Sequence, residues 1–298
     1  MRVSTSQTYQ RSMALMSNLS ATADTQQTQI ATGKKVVAPS DNPGGYRQLA
    51  GLKRDDANDK AYAANVATAQ GILDQSDDTL SNIEAQLQRA TELFTNVGNG
   101  TLSNSDRDSI AKELESIRDT LFALANSKDS RGQPLFGGAT GDLPYVKAAD
   151  GTVSYASSGE PSGIPIGDQT SMQVTVPGER AFASGTTDMF AVITDFIGVL
   201  RSGGDVKAAA STAASGISDA LSNVTLAHAS VGARGTRLEL VADQLTYAAT
   251  ARDDARSAVE DVDLAATISN FQQTLTVLQA TQASFTKLTA LSLFDYLR

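Results

Sequence analysis

With 298 residues and a net charge of −9, the chain has room for two or three domains and offers no basic run to a nucleic-acid backbone. It contains no Cys and no Trp, which excludes disulfides, thiolate chemistry and sulfur-ligated metal and argues against large aromatic-anchored cores. No run is both long and apolar enough to span a bilayer, so membrane insertion is not expected.

The start, Met1-Arg-Val-Ser-Thr-Ser-Gln, lacks the apolar core and cleavage site of a secretory signal peptide. Taken alone this points to the cytoplasm, and it leaves open export by a route whose signal is not cleaved. Met13, Met16, Leu19, Ala23 and Ile30 then form a helical stripe among Ser, Thr, Gln and Asn, with Asp24 the only acid before Gly33. Gly33 is the expected stop, followed by Lys34-Lys35. Two prolines and two glycines around Pro39, Ser40, Asp41, Asn42 and Pro43 predict a turn, with Pro43 opening the next helix and Asn42 or Asp41 as its cap.

That helix is long. Val66, Leu73, Leu80, Leu87 and Phe94 recur every seven residues, with Ala69, Ser76, Ile83, Ala90 and Val97 at the second seam position. Gly98-Asn99-Gly100 ends it. Ser105 and Asp108 resemble a capping box ahead of Ile110, Leu114, Ile117, Leu121 and Leu124, and this helix stops near Asp129-Ser130-Arg131-Gly132. From Gly137 to about Gly185 helical periodicity gives way to Gly, Pro, Ser and Asp, with β-prone runs at Leu143–Lys147, Thr152–Tyr155 and Met172–Val176. Asp150-Gly151 is the hairpin candidate. Helix returns at Asp188 and breaks at Gly203-Gly204. In the next, Ile217, Val224, Val231, Leu238 and Leu245 repeat every seven, with Leu221, His228, Gly235, Ala242 and Ala249 as companions. Asp261-Val262-Asp263 offers a break and a cap.

In the last helix Leu264, Ile268, Phe271, Leu275, Leu278, Gln282 and Phe285 alternate spacings of four and three, the narrow seam of a coiled coil. No charge falls between Leu264 and Thr286. A coat of amides and hydroxyls costs less to desolvate than one of charges, so this helix is suited to being covered by protein on several sides. The two terminal helices are expected to pair with each other in an assembled state. The fold class is therefore mainly α: a long, rod-like antiparallel helical bundle or coiled coil with nested N- and C-terminal halves and a small β-rich inserted domain. The expected domains are 1–40 with 261–298, 41–138 with 186–260, and 139–185.

His228 is the lone histidine and sits on a companion seam position, where a structural imidazole is expected. Triads and common zinc sites are thereby excluded. Asp55-Asp56, Asp77-Asp78 and Asp253-Asp254 are neighbours in sequence, so each pair splays around its helix. Gly137-Gly138 and Gly203-Gly204 lack a phosphate-loop pattern. No catalytic, metal or cofactor site is expected. Three readings of the residues stay open: a subunit of a helical or ring assembly, a soluble coiled-coil adaptor, and an exported enzyme with its site in the insert. Composition favours the first.

Specific stretches add a resemblance. Arg2-Val3-Ser4-Thr5, Ile30 to Val36 and Pro39-Ser40-Asp41-Asn42-Pro43-Gly44 resemble the N-terminal signature of the flagellin superfamily. The Ser-Asp-Asn-Pro form is closer to its hook-associated branch than to flagellin. Gly132 to Gly138 resembles the exit from the family's helical domain; Ala229 to Arg234 and Arg237-Leu238-Glu239 resemble its return helix. Leu291-Ser292-Leu293-Phe294-Asp295-Tyr296-Leu297 is similar to its C-terminal ending, with Leu293, Phe294, Tyr296 and Leu297 as the candidate motif. The resemblance covers roughly residues 1–138 and 187–298. It implies a non-enzymatic axial protein of the bacterial flagellum, exported unfolded by the flagellar type III pathway with a cytoplasmic chaperone on its C-terminal region. Outside the cell it implies self-association in a layer between hook and filament, against the other hook–filament junction protein on one side and flagellin on the other. A filament flagellin with a small outer domain is the alternative.

Overall fold

The computed structural model describes residues 5–99, 102–149, 151–184 and 187–296. The element order is α1 (Thr5–Thr32), α2 (Pro43–Asn99), α3 (Asn104–Ala125), β1 (Tyr145–Lys147), β2 (Val153–Tyr155), β3 (Ile164–Gly167), β4 (Thr170–Met172), α4 (Gly178–Phe182), β5 (Ala183–Ser184), β6 (Thr187–Asp188), α5 (Met189–Ser202), α6 (Val206–Glu260) and α7 (Leu264–Tyr296). The chain is mainly α with long helices, and its strands form three two-stranded antiparallel pairs, β1–β2, β3–β4 and β5–β6. It divides into two compact units, residues 1–58 with 247–298 and residues 59–246; α2 and α6 contribute to both.

The second unit holds the main core. All ten heptad positions of α2 from Val66 to Val97 are buried. Nine of them, all but Ser76, meet Leu114, Ile117 and Leu121 of α3, Ile193 and Phe196 of α5, and Ile217, Val224, Val231 and Leu238 of α6 in one continuous cluster. Phe94 and Phe196 pack edge to face with centroids 4.8 Å apart, and Arg201 of α5 pairs with Glu115 of α3 at 2.8 Å. The companion seam of α6 differs from expectation. Ala213, Ala220 and Ala227 are the buried partners of the heptad series, while Leu221, His228 and Gly235, one residue further on, are half-buried. α5 and α6 approach closely at another position, where a Cβ on Gly216 would stand 2.8 Å from Val192 Cγ2.

Helix ends follow local chemistry. Gly33 and Gly203 terminate α1 and α5 with φ of 70° and 77°, the left-handed conformation that glycine adopts without a Cβ penalty. A capping box does open α3, but it is Ser103 with Asp106, not Ser105 with Asp108. Both pairs have the required spacing; Ser103 stands outside the helix, where its backbone can take extended geometry.

The β-rich segment shares the helices' core. Tyr145, Val153, Ile166, Met172, Val174 and Phe182 belong to the same buried cluster. The Asn126 side chain, just past α3, accepts from the Tyr145 N–H and donates to its C=O, both at 3.0 Å, acting as a strand partner. The Tyr145 ring packs on Tyr155 and Phe190 at 5.3 and 4.9 Å. Met172–Val176 is not a strand throughout. Its inward alternation is real, with Met172 and Val174 buried, but beyond Met172 the Arg234 guanidinium of α6 takes the carbonyls of Gln173 and Thr175, each at 3.0 Å. Those oxygens accept from a side chain, and β4 ends at Met172. The partner of β4 is β3, which composition alone did not flag.

Asp188 caps α5, its carboxylate accepting from Phe190 N–H and Ala191 N–H at 2.8 and 2.9 Å. Burial pushes this carboxyl above its ordinary value, against the two amides that favour its charged form. Replacing Asp188→Ala should cost about 1 kcal/mol through loss of the cap. Asp188→Asn keeps an acceptor and removes the buried charge. Because the folded-state pKa is raised, wild-type stability is lost as pH rises through it, so the Asn variant should gain on wild type from about pH 4 towards neutrality. Urea unfolding at both ends of that range checks it; an Asn advantage that shrinks with pH contradicts the sign.

Candidate assembly surface

The first unit is organised by two helix breaks that meet. Gly33 ends α1, and Asp261 to Asp263 separate α6 from α7; the two segments pair as an antiparallel bridge between Lys34 and Asp261. Lys35 N–H donates to Glu260 C=O at 2.7 Å, and Val262 N–H donates to Gly33 C=O at 3.0 Å. The Glu260 side chain is only 8% exposed and lies 2.5 Å from Lys34 Nζ, with Arg256 Nε 3.9 Å away. Lys35 Nζ donates to the Ala258 carbonyl at 2.9 Å. Asp263 caps α7 through Ala266 N–H at 3.0 Å.

The clamp sends α1 and α7 side by side in opposite directions. Tyr9 lies on Phe285 with ring centroids 4.9 Å apart, so Met16 comes level with Leu278 and Ala23 with Phe271. The covered face of α1 runs Ser12, Met16, Leu19, Ala23, Gln26, Ile30; that of α7 runs Thr267, Phe271, Thr274, Leu278, Thr281, Phe285. Both alternate four and three, as interdigitating helices require. The threonines fit an apolar seam because their hydroxyls bond back to their own helix: Thr267 to Asp263 C=O, Thr274 to Asn270 C=O and Thr281 to Val277 C=O, at 2.7 to 2.8 Å. Only the methyls are presented to the partner.

Of the expected seam residues, Met16, Leu19, Ile30, Phe271, Leu275, Leu278 and Phe285 are half-buried. Met13, Leu264 and Ile268 are instead 49%, 47% and 42% exposed. The covered stripe and the expected one share Phe271, Leu278 and Phe285 but diverge between them: Thr267 and Thr281 are covered where Ile268 and Gln282 are exposed, while Thr274 and Leu275 are both half-buried. α1 lies towards the threonine side, leaving Leu264 and Ile268 open; Val277, on the opposite side of α7, is also 44% exposed. The side chains of Leu293, Phe294 and Tyr296, and all of Leu297, lie outside the described residues.

The family turn is exposed at Pro39, Ser40, Asp41, Asn42 and Pro43. Asp41 Oδ2 accepts from Ala38 N–H and Val37 N–H at 2.7 and 3.0 Å, and these bonds, Ala38's first, hold its carboxyl below the usual range. Asn42 Oδ1 accepts from Gly45 N–H at 2.9 Å, capping α2. A Cβ on Gly45 would stand 2.9 Å from the Asn42 amide and 3.3 Å from Val259, so glycine lets α2 begin against α6. Between Val36, Tyr46, Leu49 and the Lys34–Glu260 pair lies a small groove of about 250 Å³.

In the second unit His228 Nε2 meets Asp77 Oδ1 at 2.7 Å, tying α6 to α2. Among the described residues no group of three or more His, Cys, Asp or Glu is placed to hold a metal ion, and no helix is long and apolar enough to cross a membrane. The prominent chemical features are uncharged helix faces, some covered and some open.

Comparison with known proteins matches the family model for the bacterial flagellin N-terminal helical region over residues 3–140 and that for the C-terminal helical region over 214–297. The chain is 31% identical to the flagellar hook-associated protein 3 of Escherichia coli K12, over 99% of both chains. It is 25% identical to the flagellin of Bacillus subtilis 168, over 90% of both. A solved structure of a flagellar hook-associated protein from Vibrio parahaemolyticus shares the fold, with a TM-score of 0.70 at 20% identity, covering 74% of this chain and 100% of that one.

Replacing Lys34→Met leaves the Glu260 carboxylate buried with only a distant arginine. Since Lys34 is half exposed, the cost should be about 2 kcal/mol, below that of breaking a fully buried pair. Amide exchange at Lys35 and Val262 should then accelerate roughly thirtyfold, with the α2 amides between Val66 and Val97 unchanged. Unaltered exchange at both sites would show that the backbone bridge holds alone.

Proposed function

The chain belongs to the bacterial flagellin family, and on that premise we propose that it forms the junction layer between hook and filament and presents the surface on which flagellin assembles. It is a structural protein of the flagellum, not an enzyme. The observation that carries the junction reading is the end-to-end match to a hook-associated protein at 31% identity, against 25% over a smaller share for a flagellin. The open apolar residues of the first unit support it physically. Met13 and Leu15 on α1, and Leu264, Ile268 and Val277 on α7, are 42% to 51% exposed, a cost in water that neighbouring subunits would remove.

In this reading the subunit is exported without a cleaved signal, its C-terminal region held by a cytoplasmic chaperone. Copies then associate outside the cell in a ring or helical layer, between the other hook–filament junction protein and flagellin. An arriving flagellin must offset its ordering cost with contacts, and a bare hook supplies too few.

Ile268→Asp tests the surface. The site is exposed in the single chain, so folding should change by no more than about 0.5 kcal/mol. A carboxylate sealed against a neighbour is strongly penalised, so incorporation at the hook tip, counted by immunogold labelling, should fall at least tenfold. Normal incorporation would show that this face stays open. Deleting the gene should leave hooks without filaments and flagellin free in the medium. Loss of the filament band with no free flagellin would identify the chain as the filament subunit instead.

A further inference from the structure

The long return helix α6 carries two apolar faces, and the fold uses one. Val224, Val231 and Leu238 are buried in the core at 0% to 3% exposure. Two residues on from each stands Leu226, Ala233 and Leu240, and two residues along an α-helix is about 200°, the opposite side. There Leu226 is 68% and Leu240 60% exposed. Ser222, Ala229, Ala233 and Thr236 fill the intervening positions, all exposed, completing a second stripe spaced four and three. Its hydroxyls are satisfied within the helix: Ser222 Oγ donates to Ser218 C=O and Thr236 Oγ1 to Gly232 C=O. Spacing of this kind fits a partner helix better than a flat surface, and an uncharged stripe with no unmet polar group is cheap to desolvate.

Among the described residues of the same unit, the other helices offer few faces that could lie on it. The outward side of α3 carries Lys112 and Asp119, and that of α5 Asp195 and Arg201. The outward side of α2 is different between residues 61 and 71. Ala61, Ala64, Ala67, Thr68 and Gly71 are exposed and uncharged, and Thr68 Oγ1 bonds back to Ala64 C=O. A Cβ added to Gly71 would meet nothing within 4 Å. Large side chains at Leu226 and Leu240 on one element and shallow ones on the other are complementary in size, and no charge must be buried to join them.

We infer that the outward stripe of α6 docks on the 61–71 face of α2 in a neighbouring copy of this chain. The contact joins two different patches, so it is head-to-tail: a joined pair still offers one free α2 face and one free α6 stripe, and the contact propagates into a ring or helical layer. The inference rests on the assembly reading above and adds to it a lateral contact in the second unit, separate from the terminal helices.

The chain has no cysteine, so introduced thiols report without background. Leu240→Cys and Ala64→Cys should be placed singly and together, and treated with a short bis-maleimide in isolated flagella and in the purified chain at high concentration. The double variant should give a ladder of dimers, trimers and larger products, and each single variant monomer alone. A dimer from Leu240→Cys by itself would overturn the inference in favour of stripe-to-stripe pairing. Absence of any product in both preparations would overturn it too, leaving the stripe to a different protein. As a second arm, Leu226→Ser with Leu240→Ser should leave helical content unchanged and reduce cross-linking through a remote surface tag at least tenfold. Unchanged cross-linking would again reject the contact. The purified-chain result does not depend on where the protein resides, so its failure is distinguishable from failure of the junction reading, which gene deletion tests.

Discussion

The buried Glu260 carboxylate held by Lys34 is the contact on which the first unit depends. It joins segments more than 200 residues apart in sequence, a closure that carries a substantial entropic cost. The two flanking backbone bonds, Lys35 to Glu260 and Gly33 to Val262, give the junction direction as well as attraction. They set the register of α1 against α7 from one end. The seam itself could not do so alone: its residues are mostly half-buried, and an alternation of threonine with single large side chains tolerates sliding more readily than a deep core. A polar clamp at the end of a weak apolar seam supplies specificity that the seam lacks.

The same economy of polar groups runs through the long helices. Threonine and serine hydroxyls bond to carbonyls four residues back along α1, α2, α6 and α7. This is usually a neutral or slightly unfavourable choice in a helix interior. Here it yields faces that dissolve in water through their hydroxyl oxygens yet ask no partner for a hydrogen bond when covered. Charged faces would be more soluble and harder to bury; apolar faces would be easier to bury and prone to aggregate. The intermediate chemistry suits a face to water and to burial against protein alike.

The second unit gathers five of its nine aromatic residues in one place. Phe136, Tyr145, Tyr155, Phe182 and Phe190 cluster where the β-rich segment meets α5. Asn126, just past α3, and Arg234 of α6 reach over to satisfy carbonyls of the β-rich segment. The segment therefore has little core of its own, as its three separate strand pairs suggest; it is held by helices on which it depends.

The sequence by itself determined the helices, their breaks and the family. The ten heptad positions of α2 are legible because a buried helix face must repeat near 3.6 residues, and Gly33, Pro43, Asp188, Gly203 and Asp263 mark ends because their backbone or side-chain chemistry is local. Tertiary structure alone decided which of several compatible faces is covered. On α7, Phe271, Leu278 and Phe285 belong equally to a stripe through Thr267 and Thr281 and to one through Ile268 and Gln282, and only contact with α1 covers the first. On α6, the buried companions are the alanines at 213, 220 and 227, while 221, 228 and 235 are half-buried and His228 faces Asp77 of α2. Arg234 likewise takes the carbonyl of Gln173, just past the end of β4, from 61 residues away in sequence. Periodicity constrains one helix at a time, whereas burial is a property of pairs, and the second member of each pair lies far along the chain.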